Sequence, residues 1–258
     1  MPHATRADVD LYYETDGDPT TARAPVAFVP DVGRAAWLAA PQFGAVAGPF
    51  RAVAYDPRGT GRSDAAVPDD VPTLAADLGA VLAAADAHRP HLVGYGLGGM
   101  VALRYARAER VSSLTLLGSA ADGSAVTDRL DDRFAPPDDD AAGREALRRA
   151  LPDGFAAARP ETFERLVAWR REDAERPAWT AMAAAMRAFD ATDWCHEVTA
   201  PVLVLHGTAD RVVPAAAGER LARALPRGRF RGVEAGHLAG VERPTAVSDA
   251  LLGHVEGV

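Results

Sequence analysis

The sequence predicts an α/β protein: a doubly wound, mostly parallel sheet carrying a helical cap insertion near its middle. Three observations point there. Short apolar runs recur along the chain with helix-period stretches between them. That rhythm stops between about residues 121 and 198, where the periodicity is helical only, and then resumes. At 258 residues the chain fits one large domain, or one domain with an insertion, and can bury a substantial core.

Taken in order, Val9-Asp10-Leu11-Tyr12-Tyr13-Glu14 alternates apolar and polar, as an antiparallel edge hairpin does. The runs Val26–Val29, Ala52–Tyr55, His91–Gly94, Ser113–Leu117 and Val202–Leu205 are largely apolar instead, as strands buried on both faces are. Helical stretches are expected at about 73–87, 98–109, 214–225 and 244–256, as right-handed crossovers. Within the insertion, Asp131 to Asp140 reads as a solvated, flexible connection. Phe163, Leu166, Val167 and Arg170, then Trp179, Met182, Met186 and Phe189, follow at helical spacing. The expected division is a core of 1–120 and 199–258 with a helical cap of 121–198 over the sheet's carboxyl edge. Open α/β sheets bind their ligands at that edge.

Composition narrows the partners. The chain has 28 basic and 36 acidic residues, a formal charge of −8. Nucleic acid and anionic membrane surfaces are therefore not expected partners, and a small-molecule substrate is. Cys195 is the sole cysteine, so no internal disulfide forms. Neither a signal peptide nor a run approaching the roughly 18 apolar residues of a membrane helix is present, which makes cytoplasm the expected location. Metal-ligand clusters and phosphate loops are absent, so no cofactor is implied. The glycines of Gly94 to Gly99 loosely resemble a nucleotide turn but lack the acidic partner. A monomer or a homodimer fits equally.

His91-Leu92-Val93-Gly94-Tyr95-Gly96-Leu97-Gly98-Gly99-Met100 is an apolar strand running through a glycine turn into a helix. This is the layout of a nucleophile elbow, G-x-S-x-G, with Gly96 at the nucleophile position. Further on come Leu205-His206-Gly207-Thr208-Ala209-Asp210 and Val233-Glu234-Ala235-Gly236-His237-Leu238, an acid and then a histidine, each after a strand. Tyr55 to Asp64 contains D-x-R-G-x-G-x-S. With these four motifs in order, the chain resembles the α/β-hydrolase superfamily, in particular its capped lactonases, esterases, epoxide hydrolases and C–C bond hydrolases. The resemblance implies that Asp210 orients His237, the acid/base group. It also implies an oxyanion hole from the Leu97 N–H and an N–H of Asp31 or Val32. In the loop where the family commonly has His-Gly, this chain reads Val29-Pro30-Asp31-Val32-Gly33-Arg34, and Asp31 can set a negative charge near that hole.

Loss of a nucleophilic serine typically lowers turnover on the order of 10⁶-fold. Tyr95 precedes the elbow apex, and Ser119, Ser124 and Cys195 read as structural, so no substitute nucleophile is evident. Removing the serine side chain opens space for about one water, of ~30 Å³ liquid volume, which His237 could activate. Asp122 reads as a polar entry to the cap and His206 as packing near Asp210. Tyr95, Trp37, Trp179, Met182 and Met186 are candidate pocket residues, with core packing as the competing reading. If they line the pocket, its ligand is apolar. Three readings stay open. The first is a serine-free enzyme using His237 and Asp210 on a small apolar carbonyl, lactone or ester-like substrate, by hydrolysis or by lyase, isomerase or cyclase chemistry, with a role in secondary metabolism. The second is a serine esterase or lactonase whose elbow serine was replaced. The third is an inactive ligand-binding protein.

Overall fold

A computed structural model describes residues 2–68 and 70–258. Its strands are β1 (His3–Arg6), β2 (Val9–Asp16), β3 (Val26–Val29), β4 (Ala52–Tyr55), β5 (His91–Tyr95), β6 (Ser113–Leu117), β7 (Val202–Gly207) and β8 (Gly228–Val233). They hydrogen-bond into one sheet in the order β1-β2-β4-β3-β5-β6-β7-β8. The β1–β2 and β2–β4 pairs are antiparallel and the rest parallel. Continuous apolar runs place β3 to β7 in the interior, where every residue is buried. β8, with the sequence Gly-Arg-Phe-Arg-Gly-Val, closes the edge with its arginines toward solvent.

Helices cover both faces. The helix Val71–Ala84 starts at Asp70, whose side chain accepts from the Thr73 N–H at 2.7 Å, with Pro72 in its first turn. It packs against Leu97–Ala108 on one face, around Leu78, Leu92, Met100 and Leu114. On the other face Phe28, Val93, Leu205 and Leu251 form a second core, which includes the C-terminal helix Pro244–Val255. Among the described residues no helix is long and apolar enough to cross a membrane.

Between β6 and β7 lie helices Asp140–Ala150, Phe155–Ala158, Pro160–Trp169 and Arg176–Ala188. Backbone hydrogen bonds tie this insertion to the loops after β3 and β4: Ala174 N–H to the Gly33 carbonyl (2.9 Å), and Gly61 N–H to the Glu172 carbonyl (2.7 Å). Both loops leave the sheet's carboxyl edge. The acidic run around 131–140 is not the loose connection its composition suggests. Asp128–Arg133 is a 3₁₀ turn with Leu130 and Arg133 buried, and Asp139 caps the next helix by accepting from the Ala142 N–H. Arg133 is ordered by a partner far away in sequence, in the loop after β3.

Candidate active site

The parallel strands deliver their following loops to one edge, so residues from positions 31, 96, 210 and 237 converge. At the elbow, Gly96 has φ 50° and ψ −113°, a conformation that favours glycine. Gly98 is forced by proximity, since a Cβ there would lie 2.1 Å from the Val29 carbonyl oxygen. The side chain of Tyr95 turns away, and its hydroxyl donates to Gln42 Oε1 at 3.1 Å.

Asp210, in the loop after β7, is almost fully used as an acceptor. Its Oδ1 takes the Val212 and Val213 N–H groups at 2.8 and 3.0 Å. Its Oδ2 lies 2.7 Å from His237 Nδ1 and 3.3 Å from His206 Nε2. His206 is buried and also meets the Val213 carbonyl at 2.8 Å, so it braces the acid from behind.

The other face of His237 meets a second carboxylate. Its Nε2 lies 3.1 Å from Asp31 Oδ2, and Asp31 Oδ1 accepts the Leu97 N–H at 3.0 Å. A Cβ built on Gly96 would fall 1.9 Å from Asp31 Oδ1 and 2.5 Å from its Cγ. The Asp31 carboxylate therefore fills the space an elbow side chain would take, and it occupies the N–H that would receive an oxyanion. The elbow sequence contains no aspartate, yet a carboxylate stands in its place. A small cavity of about 10 Å³ remains between Gly96, Tyr95, Asp31 and His237. Val32, the alternative donor residue, is buried in the core.

Carboxylates only accept, so a histidine with a carboxylate on each ring nitrogen donates from both and is an imidazolium. Burial alone would push His237 down, but Asp210, together with the hydrogen bonds to Asp210 and Asp31, brings it up to about 9 against the opposing field of Arg133. Burial would raise the Asp31 carboxyl, yet Arg133 and His237 hold it well below the usual carboxylate range. Asp210 is likewise lowered despite burial, chiefly by His237 and His206. Arg133 donates Nη1 to Asp31 Oδ2 at 2.7 Å.

A cavity of about 480 Å³ opens beside His237. Trp37, Trp179, Met182 and Met186 do not line it; they are packed instead. Met182 Sδ accepts the Gly33 N–H at 3.2 Å, and the Trp179 indole lies over Gly33 and crosses Phe134 edge-on. Trp37 Nε1 donates to Asp173 Oδ1 at 2.9 Å, and Met186 is fully buried. The expected apolar stripe builds core, and the cavity at His237 has arginines in its wall. Among the other weighed residues, Asp122 caps a short turn by accepting from the Ser124 N–H, and Cys195 is buried. The residue that sequence reasoning missed is Arg133. Its only signal was an arginine next to an acidic run, which surface residues share. Among the described residues no His, Cys, Asp or Glu cluster could hold a metal ion.

Comparison with known proteins gives three kinds of match. The α/β hydrolase fold family model matches residues 45–244. A protein of Variovorax paradoxus (strain S110) named as a carbamate hydrolase, RutD, is 35% identical, over 83% of this chain and 84% of its own. The 3-oxoadipate enol-lactonase 1 of Acinetobacter baylyi is 25% identical over 84% of this chain and 83% of its own. In structure, the enol-lactonase from Burkholderia xenovorans LB400 superposes with a TM-score of 0.85, covering 99% of this chain and 100% of that one at 22% identity.

Proposed function

This chain belongs to the α/β hydrolase fold family, and we propose that it is an enzyme working without a nucleophilic serine, in which His237 acts as a general acid on a small carbonyl, lactone or ester-like substrate. The observation that carries this is His237 bridging Asp210 and Asp31 in the place of a serine hydroxyl. In a serine hydrolase the histidine must be neutral to take the hydroxyl proton. Here there is no hydroxyl, and the resting ring already holds both protons.

The chemistry open to such a site is proton transfer in pairs. As the Nε2 proton passes to a carbonyl or leaving-group oxygen, Asp31 Oδ2 can take one from a water or from a carbon beside the carbonyl. With water, its oxygen bonds to the carbonyl carbon, the bond to the leaving oxygen breaks, and hydrolysis results. With a carbon acid, the product is an isomer, or an eliminated or cyclised compound. Asp210 keeps the ring oriented throughout. The names of the relatives, a carbamate hydrolase and an enol-lactonase, recommend carbamates and lactones as the first substrates to try.

The test is the pH dependence of kcat/KM over a panel of aryl esters, lactones and carbamates. A general acid predicts a plateau through neutral pH and a fall above about 9, with activity abolished in His237→Ala. A rate that climbs with pH through neutrality, or labelling by a fluorophosphonate, would overturn the reading. A second reading has one observation in its favour: Asp31 occupies the oxyanion donor of Leu97. Under it the protein binds its ligand without turnover, and His237→Ala leaves binding intact.

A further inference from the structure

Arg133 lies under the cavity wall with 4% of its side chain exposed, on the same Asp31 oxygen that His237 approaches. Only its Nη1 is engaged by a carboxylate. Among the described residues, Nε and Nη2 are buried and have no hydrogen-bond partner. Those two groups form the planar fork that grips a carboxylate side-on. The same fork is filled elsewhere in this protein, by Asp77 on Arg58 at 2.6 and 2.7 Å and by Glu197 on Arg107 at 2.9 Å for both bonds. A buried cationic fork left open is costly, and arginines are kept buried where bidentate recognition needs them.

The charge on the cavity wall points the same way. Behind it, the buried cations Arg34, Arg133, Arg170 and His237 are matched in number by the carboxylates Asp31, Asp173, Asp210 and Glu242. Asp173 accepts from Arg34 and Trp37 and is ion-paired with Arg170. The wall itself is biased, with Arg129, Arg133, Arg148, Arg149 and Arg211 facing three acids. One of those acids, Asp132, is paired to Arg129 at 3.1 Å.

We infer that the open fork of Arg133 binds the carboxylate of a small anionic ligand in this cavity, and that the substrate is a carbonyl compound bearing a carboxylate. The naming of that ligand as substrate rests on the catalytic reading above; the binding site does not. The apolar ligand that a pocket lined by Trp179, Met182 and Met186 would imply gives way to an anionic one, and Arg133 sits where it would hold a substrate's charged end beside the His237 Nε2 proton.

The experiment is calorimetric titration of the full chain at pH 7 in low-chloride buffer, with glutarate and its neutral diamide, glutaramide, as probes. Glutarate should saturate one site with a Kd on the order of 1 mM or tighter, and glutaramide should bind at least about tenfold more weakly. Arg133→Lys keeps the charge toward Asp31 and loses the fork, and should weaken glutarate by about tenfold at an unchanged melting temperature. Equal binding of the two probes, absence of glutarate binding, or full binding by a folded Arg133→Lys would overturn the inference. Should that variant not fold, the two probes on the unaltered protein decide. Glutarate binding without His237-dependent turnover of any ester would remove the catalytic reading and leave the subsite. His237-dependent turnover that glutarate does not inhibit would remove the subsite and leave the catalysis.

Discussion

Restoring the missing serine should not restore a serine hydrolase. In Gly96→Ser the new Cβ meets Asp31 Oδ1 at 1.9 Å and its Cγ at 2.5 Å. To reach ordinary contact the carboxylate must withdraw by roughly 1.5–2 Å, which breaks its bonds to the Leu97 N–H and to His237. Breaking a buried charged pair costs about 3–5 kcal/mol, and holding serine at φ 50° adds about 1–3 kcal/mol. The sum, roughly 4–8 kcal/mol, is a large part of the usual 5–15 kcal/mol of folding stability. At about 2–4 °C per kcal/mol for a chain of this size class, melting should fall by at least about 8 °C. Scanning fluorimetry and hydrolysis of an aryl acetate are the assays. The single variant should melt low and show no gain in esterase activity. The double variant Gly96→Ser with Asp31→Gly removes the clash and frees the Leu97 N–H, so it should become labelled by a fluorophosphonate. A Gly96→Ser protein that melts within about 2 °C of the parent and hydrolyses aryl acetate would refute the placement of Asp31.

Four further outcomes are expected. His237 is raised from 6.5 to about 9, so its contribution is fully present below pH 6.5 and lost as pH rises through 9. Its size is about 3 kcal/mol, and denaturant unfolding at pH 6 and pH 10 should show it. Asp31 and Asp210 are lowered, so on the acid side stability is kept above about pH 4 and is lost as pH falls further. Asp31→Asn keeps the shape but leaves Arg133 without its carboxylate. Urea unfolding should show a loss of about 3–5 kcal/mol, and the His237 pKa should drop by at least about one unit. Met182→Ala should cost about 2–5 kcal/mol, because the side chain is 1% exposed and packed under Gly33. Its KM on any substrate found should stay within about twofold of the parent's, whereas a pocket role would raise it.

How far the sequence reached depended on the range of the interactions. The five apolar runs are strands because a central parallel strand must be apolar on both faces, a purely local signal. β8 carries no such signal, since its arginines face water and only its pairing with β7 makes it a strand. The motif order brought Asp210, His237 and Gly96 to one edge, and the structure places Asp210 and His237 2.7 Å apart. That a carboxylate stood near the hole was visible in Asp31. That it fills the elbow was not, because this depends on Arg133, 102 positions away, being buried beneath it. Likewise the stripe from Trp179 to Met186 has the same spacing whether it lines a pocket or a core. Only its packing against Gly33 and Phe134 separates the two.

His237 stands as an imidazolium clamped between two carboxylates at neutral pH. Nitrogen-15 NMR of the ring nitrogens, followed from pH 5 to about 10, tests it without any substrate. Both nitrogens should report as protonated through pH 7 and titrate near 9. A ring that is neutral at pH 7, with Nε2 unprotonated, would contradict the clamp and return His237 to the role of a conventional base.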